Sequence, residues 1–263
     1  MMTVVPEQSE RPGNGRAESE AGTDAFGAWL RIRAREGPRA SLIRLYALAA
    51  EPRGLRAHEL PLAERRALAA RAMPLLWPGF EAVALGGQRD PIEVVEYDPA
   101  WPARFEHWRA LLADRLGPAA LRIEHVGSTS VPGLAAKPIV DIQVSVADLS
   151  DEARYVPACE SAGLQLRFRD DEHRYFRPPP RRPRLVHVHV CAAGSRWERV
   201  HLLLRDYLRE DAAARSEYAA MKREMAVRWS DDRLGYTEAK TDVILDILGR
   251  AEAWAAASSG PRV

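Results

Sequence analysis

Between His125 and Val146 the chain reads HVGSTSVPGLAAKPIVDIQVSV, and no other stretch constrains the fold as tightly. The residues before the turn, LRIEHV, and after it, KPIVDIQVSV, are rich in β-branched side chains and bounded by Gly and Pro, which marks two strands flanking a turn. Alternation along the second strand puts Val140, Ile142 and Val144 on one face and Asp141, Gln143 and Ser145 on the other. One face is thus suited to a core and the other to a groove. A polar strand face opposite a Gly-Ser turn is where a phosphate and a metal can meet, since Gly127 lets backbone amides approach an anion and Asp141 supplies a carboxylate.

Composition limits the function classes. Of 263 residues, 46% are hydrophobic and 29% charged, ordinary proportions for a globular protein. A formal net charge of +1 argues against bulk electrostatic affinity for nucleic acid and leaves only a local patch. Cys159 and Cys191 are too few for a disulfide scaffold and are not spaced as a metal motif. No run of about 18 apolar residues and no hydrophobic signal core appear, so no membrane partner is expected and cytoplasmic residence is the default.

Along the chain, residues 1–23 are rich in Pro, Gly, Ser and charge and read as a disordered tail. Residues 24–90 carry helical periodicity, with stripes at Leu42, Leu45, Leu48 and Ala49 and at Leu62, Leu68, Met73 and Leu75. They are expected to form a helical extension, packed on the main fold, on a protein partner or on a second copy. Residues 91–258 read as mixed α/β. A strand is expected at IEVVEYD, a helix from about Pro99 to Leu116, then the two motif strands. A helix over 151–162 capped by Ser150 follows, then strands at LQLRF, RYFR and RLVHVHV. Helices over 195–208, 212–229 and 236–256 close the chain.

Three downstream stretches complete a pattern: HVHV at His187–Val190, LLLRDYLRE at Leu202–Glu210 and YTEAKTDVI at Tyr236–Ile244. With the Gly-Ser motif, they make residues 93–254 resemble the GrpB-like family. The resemblance implies an α/β (α+β) fold of nucleotidyltransferase type, a mixed twisted sheet flanked by helices. It also implies that the Gly-Ser turn cradles a triphosphate and that the acidic strand holds a metal. The active pattern of that fold is Asp-x-Asp or Asp-x-Glu, whereas this chain has Asp141-Ile142-Gln143. An amide brings no charge, so a two-magnesium centre, which wants several oxygen ligands, is in doubt.

Each candidate residue has a bland reading beside the functional one. Gly127 and Ser128 either cradle phosphate or form an ordinary capped turn. His187 and His189 stand two apart on a strand, hence on one face, and either ligate a transition metal with Asp141 or line a groove as hydrogen-bond donors. His125 is a further candidate for the same pocket. Lys137 and Lys240 can reach a phosphate as point charges or pair with surface acids. Lys240 follows Tyr236 by four positions, and the resemblance implies that this helix faces the groove. Arg205 and Arg209 read as structural partners of Asp206, Glu210 and Asp211. The run RFRDDEHRYFRPPPRRPR, with seven Arg against three acids, reads as an exposed hairpin loop. It either holds an anionic substrate or a nucleic-acid backbone beside the phosphate site or is simply solvated, and its arginines are not assigned as catalytic.

The expected activity is transfer of a nucleotidyl group from a nucleoside triphosphate to a small-molecule acceptor. Asp141, His187 and His189 would be the catalytic and metal-holding set, with Gly127, Ser128, Lys137 and Lys240 on the phosphates. Magnesium or manganese would serve, or a transition metal if both imidazoles ligate. The alternative is a non-catalytic nucleotide- or anion-binding module whose helical extension contacts a partner.

Overall fold

The alternation read from the motif builds the central sheet of the computed structural model, which describes residues 15–83 and 92–258. Among the described residues the strands are β1 (Glu81–Ala82), β2 (Arg122–Val126), β3 (Val140–Val146), β4 (Gln165–Arg169), β5 (His173–Arg177) and β6 (Val186–Ala192). They lie in the order β1-β4-β5-β6-β3-β2. β3 and β6 run parallel, and the other pairs are antiparallel. Val140, Ile142, Val144 and Val146 of β3 share one buried face with Val186, Val188 and Val190 of β6. Phe105 and Leu112 of α4 (Trp101–Leu116) and Cys159 of α5 (Val156–Ser161) belong to the same apolar cluster. Removing such side chains from water is the main favourable contribution to folding, roughly 1.5–3 kcal/mol for each fully buried Val, Leu or Ile.

The C-terminal helices α6 (Arg196–Glu210), α7 (Ala212–Arg228), α8 (Arg233–Glu238) and α9 (Thr241–Ser258) supply a second cluster, in which Tyr207, Leu208, Tyr218 and Ile247 enclose Val131 and Leu134 just after the Gly-Ser turn. The turn is therefore held between sheet and helices. α6 is tied to the polar sheet face: Ser145 donates to Glu198, which also pairs with Arg122 at 2.6 Å and accepts from the Gly194 amide at 2.6 Å.

The described residues divide into two compact units, one ending at Ala69 and the other beginning at Ala70. In the first, α1 (Gly15–Glu36) and α2 (Leu42–Ala50) bury Trp29, Leu42, Leu45, Tyr46 and Ala49, and the Trp29 indole donates to the carbonyls of Ala40 and Ser41. α3 (Leu62–Leu76) crosses the division. The sequence reading put that division after residue 90, but β1 pairs with β4, so the chain before 90 already contributes to the sheet. α1 also begins inside the stretch read as a tail, where Ala, Glu and Arg favour helix; the expectation for residues 1–14 lies outside the described residues.

Other local expectations are corrected. IEVVEYD makes a single bridge, Val95 to Ala136, rather than a strand, because Asp98 already turns the chain into α4 by accepting from the Ala100 amide at 2.8 Å. The helix over 151–162 splits into a 3-10 turn at Glu152–Arg154 and α5, which restarts with Pro157 in its first turn. Ser150 is no cap, since its amide and hydroxyl both donate to Asp148. The helix over 236–256 is two helices; Asp232 caps α8 by accepting from the Gly235 amide at 3.0 Å, and the chain turns at Lys240 before α9. Both cysteines are free and buried. Among the described residues no helix is long and apolar enough to cross a membrane.

Candidate functional site

Strand register assembles the site. β3 and β6 run parallel with Asp141 beside His187 and Gln143 beside His189, so all four project from one face. Asp141 Oδ1 lies 3.0 Å from His187 Nδ1 and 4.0 Å from His189 Nε2. One ligand atom from each of the three falls within 4.8 Å of the others, a spacing that a single cation can bridge. Two imidazoles and one carboxylate suit a transition-type cation better than magnesium, which prefers oxygen alone.

The turn comes as close as glycine allows. Gly127 has φ 68° and ψ −172°, a region essentially reserved for glycine. A Cβ there would lie 2.5 Å from Asp141 Oδ2 and 2.9 Å from Asp141 Cβ. Arg205 donates to the His125 carbonyl and pairs with Glu124 and Asp206, while Arg209 donates twice to the Ser130 carbonyl. These arginines brace the turn from α6, a role beyond the Asp206 pairing expected of them. The Ser128 hydroxyl bonds Tyr218.

His125 is not in the groove. It pairs across the sheet with Ile142, which puts it on the core face, stacked on Phe105 at 4.7 Å and bonded to Thr129. Burial pushes its pKa down to about 4. The Asp141 face is instead walled by aromatic rings that the sequence reading missed. Tyr175 lies 5.2 Å from His187 and 5.1 Å from His189, and Trp197 and His173 lie 5.3 and 5.5 Å from His189. Burial opposes ionisation of Asp141, but the His187 hydrogen bond and the charges of His187, His189 and Lys137 overcome it and hold the carboxyl at about 2. Burial drives His187 down and His189 well down, so both rings are neutral near pH 7. Gln143 is fully buried, and neither its amide atoms nor His189 Nδ1 has a hydrogen-bond partner among the described residues.

Three lysines lie within the electrostatic reach of Asp141. Lys137 and Lys240 each place Nζ 4.8 Å from the Tyr236 ring, and Lys222 places its own 4.6 Å from Tyr218 while donating to the Ala135 carbonyl. Lys240 meets Tyr236 although it sits past the end of α8 rather than on it. The Asp141 charge acts on all three, and that of Glu238 on Lys240 as well. Lys222 was missed by the sequence reading, yet Tyr218-x-x-x-Lys222 repeats the spacing of Tyr236-x-x-x-Lys240. Burial first, then Lys240 and Arg233, pushes Lys137 down to about 7; burial, then Lys240 and Arg223, does the same to Lys222, and burial lowers Lys240.

That depression has a sign in stability. An unfolded lysine keeps its proton up to its ordinary 10.5, so between about 7 and 10.5 the unfolded chain binds more protons than the folded one. These lysines therefore make the ligand-free protein more stable as pH rises through that window. A Lys137→Met/Lys222→Met variant is expected to lose part of the rise in melting temperature between roughly pH 7 and pH 9. A pH profile parallel to that of the wild type would show that the two ammonium groups are not desolvated.

Known proteins resemble this chain in sequence and fold. A family model described as GrpB protein matches residues 91–250. A UPF0157 protein of Streptomyces coelicolor is 43% identical over 178 residues, 67% of this chain and 94% of that protein. A dephospho-CoA kinase of Mycolicibacterium paratuberculosis is 31% identical over 195 residues, but this chain spans only 47% of its length. The crystal structure of the conserved protein GrpB from Enterococcus faecalis superposes with a TM-score of 0.55 at 33% identity, over 62% of this chain and 99% of that one.

Proposed function

Because the chain belongs to the GrpB family and has its nucleotidyltransferase-like fold, we propose that the Asp141 groove transfers a nucleotidyl group from a nucleoside triphosphate to a small acceptor. The observation that carries this reading is the set of three desolvated ammonium groups, Lys222 buried and Lys137 and Lys240 half-buried, seated on the Tyr218 and Tyr236 rings within reach of the Asp141 charge. Buried cations are costly unless compensated, and a polyphosphate tail supplies that compensation. Asp141, His187 and His189 would hold a divalent cation, which would neutralise phosphate charge in the groove. Gly127 leaves the turn open to a phosphate, and the lysines orient the tail. In the transfer, an acceptor atom bonds the α-phosphorus, the bond from that phosphorus to the pyrophosphate oxygen breaks, and the acceptor's proton goes to solvent.

The similar stretch within proteins named dephospho-CoA kinase agrees with phosphate chemistry but identifies no substrate for this chain. Gln143, at the place of a second carboxylate, favours the other reading, a module that binds nucleotide without reacting. Calorimetric titration with nucleoside triphosphate tests the shared premise. Lys222→Met should bind roughly tenfold or more weakly, since a hydrogen bond to a charged partner is worth about 1.5–3 kcal/mol, while remaining folded. Equal affinity in the variant would remove the lysines from the ligand site.

A further inference from the structure

Arg184 differs from the arginines around it in what it holds. Arg169 and Arg174 pair with Glu152, and Arg169 also with Glu81. Arg184 instead donates from Nε to His187 Nε2 at 2.9 Å and from Nη2 to the Tyr175 hydroxyl at 3.1 Å. A guanidinium has donors and no acceptor. The His187 Nε2 it bonds must therefore carry the lone pair, so the ring proton sits on Nδ1 and is donated to Asp141 Oδ1 at 3.0 Å.

This polarity leaves His187 no lone pair for a cation. A cation at Nε2 would need the position Arg184 occupies. A cation at Nδ1 would shift the ring proton to Nε2, where two donors, the imidazole N–H and the guanidinium N–H, would face each other. By either route Arg184 has to let go. An anion held by the lysines would also attract Arg184, whose charge already acts on Lys137.

We propose that Arg184 is a positioning residue that locks His187 against cation binding until an anion draws the guanidinium away, so that cation and polyphosphate load together. This rests on the reading of Asp141, His187 and His189 as a cation site. It gives one arginine of the Arg-rich run a specific part in the site.

The test is titration of the whole chain with cobalt(II) alone at fixed pH, followed by visible absorption. Arg184→Gln and Arg184→Lys should both bind cobalt(II) about tenfold more tightly than wild type, the scale of a change in a ligand's outer partner. The gain should vanish when His187→Ala is added. Inorganic tripolyphosphate at constant free cobalt(II) should tighten binding in wild type and do so less in Arg184→Gln. Equal cobalt(II) affinity in wild type and both Arg184 variants would overturn the lock and leave the cation site standing. An Arg184→Lys variant that behaves as wild type while Arg184→Gln gains would replace the lock with simple charge repulsion. An equal response to tripolyphosphate in wild type and Arg184→Gln would remove the coupling to the anion. Absence of binding in wild type and variants alike would overturn the cation site itself, and the lock with it.

Discussion

Gly127→Ala is expected to lower stability by about 2–4 kcal/mol, because the backbone conformation alone costs an alanine about 1–3 kcal/mol and the added methyl collides with a neighbour that cannot retreat. That neighbour is Asp141, whose Oδ2 and Cβ would stand 2.5 and 2.9 Å from the new carbon. Rotating the carboxylate would relieve only the first contact and would break its bond with His187, and Asp141 Cβ is fixed by β3. Moving the turn instead would strain the carbonyls of His125 and Ser130, which Arg205 and Arg209 hold. In a protein of this size the loss corresponds to a fall in melting temperature of roughly 5–15 °C. Triphosphate affinity of the folded fraction should fall as well, since turn and carboxylate no longer keep their spacing. A melting temperature within about 2 °C of wild type would mean that the turn is not packed on Asp141 as the geometry shows.

Much of this site was legible because strands have period two. Asp141, His187 and His189 could be put on polar strand faces from alternation, and the parallel pairing of β3 with β6 places them side by side. Nearness to Gly127 in the sequence, which suggests the same pocket for His125, misleads. Register sets His125 opposite Ile142 and so on the core face, and register depends on pairing that no single strand reveals. Lys222 had a local signal in its spacing from Tyr218, but which face of α7 meets the turn is decided by the packing of Tyr207, Tyr218 and Ile247 around Val131 and Leu134. Arg184 had none. In a run with seven arginines, composition cannot say which one ends beside a histidine.

Fold-level features divide the same way. The core strands were readable because Val140 to Val146 and Val186 to Val190 alternate strongly. The two-residue β1 was not, since a strand that short has no period to detect. IEVVEYD had the composition of a strand, yet tertiary context gave it one bridge and a turn into α4.

The central claim, that a cation on Asp141 links this groove to a triphosphate, predicts the sign of one substitution. Asp141→Asn keeps the size of the side chain and removes its charge. If the carboxylate holds a cation that bridges to phosphate, metal-dependent binding of nucleoside triphosphate should weaken by on the order of a hundredfold, about 2.7 kcal/mol, and any transfer activity should fall with it. If the groove only binds anions, the carboxylate repels the ligand among Lys137, Lys222 and Lys240, and its neutralisation should strengthen binding. The measurement is a calorimetric titration of wild type and Asp141→Asn with nucleoside triphosphate, with and without manganese. Manganese should tighten binding to wild type and make no difference to the variant; tighter binding by Asp141→Asn in both conditions would contradict the mechanism.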